Sequence, residues 1–341
     1  MLKPNAKRKN IRAQQLSLGV GIILLLVKFA AWWLTGSNAI LTDAVESIVN
    51  VIAASLGLYA IYLSMLPRDE NHPYGHGKVE FISASVEGTM ILIAGVLMIG
   101  KAIYNWFIPQ EIEDLTTGII LVTLAGAVNF IMGVYLYRRG KKENSLALEA
   151  SGRHLKTDGW STLGLLIGLT VFYFYPAQWI DSLLAIAFGL FIAFNGYSIL
   201  RKSLAGIMDE ADTQLINKLV AKLSARRRKE WIDIHNLRVV KYGPQLHIDA
   251  HLTVPFYFTV EQMHDEVEAL NELVDNYCGS RVEMFIHVDP CIPQACQFCL
   301  VADCPERKSV FDQRVDWNIE LVTKNQKHAY QLEDINPDSG N

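Results

Sequence analysis

Apolar residues are gathered into long runs as far as about Leu204, and beyond that point the pattern breaks into short amphipathic segments. A run of roughly 20 apolar residues is long enough to cross a bilayer as a helix. Six such runs are present, over 14–34, 39–65, 81–107, 115–137, 147–175 and 179–200. Several exceed the hydrocarbon thickness and are expected to tilt or protrude. From about residue 208 the periodicity predicts a helix over 211–229 and strands over 233–242 and 245–254, with Gly243-Pro244 as the turn between them. A helix over 259–277 and a strand over 281–288 follow. The predicted fold is an α-helical membrane protein: a basic tail over 1–13, a six-helix transmembrane bundle over 14–207, and a small α+β domain over 208–290. A cysteine-rich segment and a polar, patternless tail occupy 291–341.

Charge orients this arrangement. Lys3, Lys7, Arg8, Lys9 and Arg12 precede the first run, Arg68 and Lys78 follow the second, Arg138, Arg139, Lys141 and Lys142 follow the fourth, and Arg201 and Lys202 follow the sixth. The opposite connections, 35–38, 108–114 and 176–178, carry no Lys or Arg. Cytoplasmic flanks carry the positive excess, so both termini are expected in the cytoplasm. The short, histidine-poor connection between the fourth and fifth runs points to a bacterial plasma membrane. The basic residues are explained by topology, and none of them forms an aromatic-interleaved surface for nucleic acid. All five cysteines fall between Cys278 and Cys304 on the cytoplasmic side, where thiols stay reduced and clustering suggests metal.

Two polar pairs interrupt the apolar runs. Glu46 and Asn50 lie four residues apart in the second run, and His154 and Asp158 four apart in the fifth. Residues at that spacing share one helix face. A charge near the bilayer centre costs at least ~2.5 to 3.5 kcal/mol, so these groups need a partner, a water path or an ion. The second and fifth runs are antiparallel and both pairs sit part-way along, which brings them to a similar depth. Imidazole with carboxylates suits zinc, and an oxygen-rich set also suits manganese or iron. Buried polar residues also tie helices together by hydrogen bonds, which accounts for Asn50 taken alone as well as a ligand role does. Asp43 lies one turn outward on the Glu46 face, as a third ligand, a release station or an interfacial cap. No H-E-x-x-H run, nucleophile–base pair or G-x-x-x-x-G-K-[ST] loop is present, which argues against an enzyme and against ATP-driven transport.

Outside the runs, Asp69, His72 and His76 stand together in the connection after the second run, suited to an accessory zinc or simply to a solvated turn. Cys291, Cys296, Cys299 and Cys304 form a C-x4-C-x2-C-x4-C pattern, four thiols able to ligate zinc as a structural clasp or a sensor. Cys291 is also near enough in sequence to complete a site with His287 and Asp289.

The run Asp69-Glu70-Asn71-His72-Pro73-Tyr74-Gly75-His76-Gly77-Lys78, the His154-x-x-x-Asp158 pair and Phe285-Ile286-His287-Val288-Asp289-Pro290 resemble the cation diffusion facilitator family over about 15–290. The resemblance implies a homodimeric, proton-coupled exporter of divalent metals with one transport site per protomer between spans two and five. It also implies a metallochaperone-like cytoplasmic dimerisation domain, in which His235, His251, His264, His287 and Asp289 match metal-binding positions. One departure stands out. The family pattern in span two is two aspartates, and Glu46 and Asn50 occupy those positions here. Zinc is the leading expected cargo, and the amide keeps manganese, iron and cobalt open. The rival expectation is a membrane-anchored metal sensor that transports nothing.

Overall fold

The computed structural model describes residues 4–35, 38–107, 116–174, 178–243, 245–278 and 282–335. They fall into two compact units, Leu2–Met208 and Asp209–Asn341.

The first unit holds six long helices among the described residues: α1 (Pro4–Thr35), α2 (Asn38–Ser64), α3 (Val79–Phe107), α4 (Thr116–Glu143), α5 (Leu146–Phe174) and α6 (Gln178–Ile207). Stretches in four of them, Arg8–Ala30, Ser47–Ser64, Val79–Phe107 and Leu183–Ile207, are long and apolar enough to cross a membrane. Over their described residues α4 and α5 fall short of that measure. Basic residues crowd the end of α4, and Glu149, Arg153, His154, Lys156 and Asp158 crowd the start of α5. Helix α1 begins well before its apolar run, because Asn10 and Gln14 are buried and Arg139 Nε donates to Asn10 Oδ1 at 3.0 Å.

Two helix pairs approach closely along glycine ridges. Gly126, Gly133 and Gly140 recur every seven residues on α4, facing Gly152 and Gly159 on α5; Gly88 and Gly95 on α3 face Gly189 and Gly196 on α6. A methyl group added at Gly133 would stand 2.6 Å from Lys156 N, and one at Gly95 would stand 2.5 Å from Ala193 N. Only a hydrogen fits there, so backbone meets backbone, as small residues allow between membrane helices. Polar ties close the end of the bundle where α2 stops and α3 starts. The Ser64 and Ser145 hydroxyls donate to Glu80 at 2.9 and 2.6 Å. Beside them the Glu149 carboxylate accepts from Lys202 at 2.9 Å and from Arg153 at 3.2 Å.

In the second unit, α7 (Thr213–Ala225), β1 (Asp233–Tyr242), β2 (Gln245–Val254), α8 (Val260–Cys278) and β3 (Val282–Pro290) follow the order expected from periodicity. Asp212 caps α7 by accepting from Leu215 N at 3.0 Å, an interaction contributing about 1 kcal/mol. β1 and β2 form an antiparallel hairpin, and β3 returns through α8 to pair parallel with β2, in the order β1-β2-β3. Gly243 takes φ 58° in the hairpin turn. The register shifts by one residue between His235 and Arg238, where Asn236 adopts φ 52°, so β1 carries a bulge beside His235. Ile216, Leu219, Leu223 and Leu270 of the helices pack on Ile234, Ile248 and Leu252 of the sheet.

The cysteine-rich segment after β3 contains a 3-10 turn (Pro293–Gln297), and the tail after Glu306, expected to be patternless, contains α9 (Ile319–Val322) and α10 (His328–Ile335). Trp317 and Val322 enter the core of the α+β domain. Arg227 binds it further, donating to Val315 O at 2.8 Å and lying 4.5 Å from the Trp317 ring centre. Burial pulls that guanidinium down to about 10.

Candidate metal centre

Helices α2 and α5 carry the central site. Asn50 Nδ2 donates to Asp158 Oδ2 at 2.8 Å, and His154 Nε2 lies 2.7 Å from Asn50 Oδ1. His154 Nε2 and Asp158 Oδ2 are 3.9 Å apart, on side chains only 10% and 17% exposed. An amide oxygen, an imidazole nitrogen and a carboxylate oxygen are thus gathered around one point by two helices. Each i, i+4 relation puts its members on one face, and the antiparallel course of α2 and α5 brings the faces to one depth. Because the Asn50 amide donates to Asp158, its oxygen is left to accept from His154. A cation entering here would exchange these hydrogen bonds for ligand bonds. Asn50 and His154 also line a narrow cavity of about 20 Å³ with Ser47, Glu87, Asn129 and Ser151, room for about one water. The side chains of Asp43 and Glu46 lie outside the described residues.

The expected loop group is drawn together. His72 Nδ1 is 2.9 Å and His76 Nε2 3.3 Å from the Asp69 carboxylate, and the two rings are 4.2 Å apart. One ligand atom from each lies within 4.8 Å of the others. The hydrogen bond from the His72 side chain, aided by the His72 N–H, holds the Asp69 carboxyl below its ordinary 3.8. It is therefore an ionised acceptor across the neutral range.

In the α+β domain, His235, His251 and Asp289 form a second such group. Strand pairing makes it: His235 stands opposite His251 across the antiparallel pair, and His251 opposite His287 across the parallel pair. Asp289 Oδ2 is 2.9 Å from His251 Nδ1 and 3.4 Å from His235 Nε2. Behind them Asp233 accepts from His235 Nδ1 at 2.7 Å, orienting the ring as outer carboxylates orient metal-binding histidines. Burial opposes charge on Asp233, but the His235 hydrogen bond and neighbouring histidines outweigh it and keep its carboxyl below the usual value. His287 flanks the group, with its ring 4.6 Å from that of His251 and its side chain 66% exposed. His264 is exposed on α8 and does not join the group.

Cys291, Cys296, Cys299 and Cys304 all line one cavity of about 270 Å³. They do not converge further: no three of their sulfurs lie within 4.8 Å of one another, so the tetrahedral set expected from spacing is not assembled. Backbone bonding fixes the segment that carries them. Cys291 N donates to Val254 O at 2.9 Å, continuing the sheet, and Arg307 clamps the carbonyls of Cys296, Cys299 and Val301 at 2.8, 3.1 and 2.6 Å. Burial pushes the Cys291 and Cys299 thiols up, toward the neutral form.

Sequence reasoning missed Glu87, Gln14 and Ser151, which adjoin the central site. The available signal was Glu87 itself, an ionisable residue inside the third apolar run.

Comparison with known proteins places the arrangement. Residues 15–208 match the cation efflux transmembrane domain, and 212–291 match the cytoplasmic domain of cation efflux proteins. An uncharacterized transporter of Synechocystis sp. is 30% identical over 81% of this chain and 88% of its own. The cation-efflux pump FieF of Cronobacter sakazakii is 29% identical over 80% of this chain and 90% of its own, and that of Salmonella arizonae 27% over 82% and 92%. These relatives are transporters rather than enzymes, and the two matched domains cover the first unit and the second as far as residue 291. The chain belongs to the cation diffusion facilitator family, membrane-spanning proteins of divalent metal cation efflux.

Proposed function

We propose that this chain exports divalent metal cations in exchange for protons, as a homodimer in the plasma membrane with six spans and both termini cytoplasmic. The convergence of Asn50, His154 and Asp158 from α2 and α5 carries the reading. Glu46, one turn from Asn50 on the same helix face, completes the transport site, and Asp43 adjoins it. Zinc is the leading cargo; manganese, iron and cobalt fit the amide-containing donor set. Metal binds neutral imidazole and ionised carboxylate, and protonation of either competes with it. The His154 ring nitrogen can hold either the metal or a proton, so it suits the proton that replaces the metal.

The remaining sites are regulatory on this reading. Asp69, His72 and His76 hold an accessory ion. His235, His251 and Asp289, flanked by His287, hold a metal in the cytoplasmic domain, where a His₂Asp set suits zinc; His264 contributes only through rearrangement or a partner protomer. The cysteine cluster binds zinc only with a shift that brings its sulfurs together and releases their protons.

Replacing His154 by alanine tests the proposal. Reconstituted His154→Ala protein is expected to lose about tenfold or more in metal flux and to flatten in its dependence on pH. Unchanged flux with an unchanged pH profile contradicts it. Persistent metal binding by the cytoplasmic domain with no flux for any metal in the native protein would favour a sensor.

A further inference from the structure

One turn beyond Asn50, toward the C-terminal end of α2, polar groups from three other helices meet. Glu87 of α3 and Gln14 of α1 are both 0% exposed. The Ser151 hydroxyl of α5 donates to Glu87 Oε1 at 2.9 Å. The Gln14 amide donates to Ser151 Oγ at 3.2 Å and to Ala54 O at 3.1 Å. Glu87 Oε2 and Gln14 Oε1 are then buried with no hydrogen-bond partner among the described residues. Buried polar atoms are almost always satisfied, so two bare oxygens in one cluster call for a partner that these residues do not supply.

The three groups pack directly on α2. A methyl group added at Gly57 would stand 2.8 Å from Gln14 Nε2, 3.0 Å from Ser151 Oγ and 3.2 Å from Glu87 Oε1, so only a hydrogen fits there. Glu87 and Ser151 also line the cavity that contains Asn50 and His154. Ala54 follows Asn50 by four residues and Ser151 precedes His154 by three, which sets the cluster roughly 5 Å along the bundle from the central site.

We propose that Glu87, with Gln14 and Ser151, is an all-oxygen cation station adjoining the transport site, supplying the carboxylate charge that Asn50 does not. The inference rests on the transport reading above. It gives the path a preference: oxygen-only donors favour hard cations such as manganese, whereas zinc gains more from imidazole. A purely structural Glu87, tying α3 to α5 through Ser151, would need only one of its oxygens.

The test is the ratio of initial manganese and zinc transport rates in proteoliposomes holding the full-length protein. Glu87→Gln keeps the side chain's size and an oxygen to accept from Ser151 but removes the charge. A fall in manganese relative to zinc transport of about tenfold or more is expected. An unchanged ratio overturns the station, as does equal loss for both metals, which is the mark of a folding or proton-carrying role. Asp158→Asn, measured beside it, is expected to abolish both fluxes; full flux there would overturn the central transport site, and the station with it, whatever Glu87→Gln does.

Discussion

Asn50 donates to Asp158 and accepts from His154, so without metal the site is held by hydrogen bonds where a second aspartate would bring repulsion. Asn50→Asp would place two carboxylates within about 3 Å, which cannot both ionise without a cation between them. The variant is expected to favour zinc over manganese about tenfold more than the native protein does, ~1.4 kcal/mol, in paired flux measurements; an unmoved ratio would mean that this position does not set selectivity. The central residues were legible in the sequence because polar pairs at helical spacing stand out in apolar runs. Gln14 and Ser151 were not, since single amides and hydroxyls are ordinary in membrane helices and their meeting depends on three separate elements. The cysteines, close along the chain, share one cavity without closing into a tight set, because the backbone around them is committed to strand pairing and to Arg307.

Among the elements, β1 and β2 span the residues expected from alternation, because each strand has one face on the core and a tight turn between them. Helix ends were read less well. A hydropathy run stops where polarity begins, whereas α1 and α4 continue through polar residues that find partners, Asn10 with Arg139 among them. The seven-residue glycine spacing was also present in the sequence, and its meaning emerges only when Gly88 and Gly95 are seen against α6. That contact is strict. Gly95→Val would force α3 off the Ala193 backbone and is expected to cost about 1–3 kcal/mol, seen as a lower unfolding temperature in detergent. Gly100, with nothing within 4 Å of an added methyl group, serves as the neutral control at Gly100→Ala. Equal stability of the two variants would contradict close packing of α3 on α6.

At the scale of the molecule, the division into an apolar helical unit and a polar α+β unit could be read directly, since hydropathy alone separates them at about residue 208. The final segment could not, because its attachment to the domain comes from isolated residues such as Trp317 and from backbone carbonyls bound by Arg227, which leave no periodic trace. Among the described residues, three groups of side chains able to hold a metal are distributed over these units: the central pair of helices, the Asp69 loop and the His235 sheet. Transport is proposed for the first alone. Its most direct test is metal-driven proton movement in proteoliposomes of the full-length protein, scanned across zinc, manganese, iron and cobalt beside Asp158→Ala. Proton movement coupled to at least one of these metals, and absent from Asp158→Ala, is the predicted result. Metal flux without proton movement, or coupled exchange that survives Asp158→Ala, would contradict it.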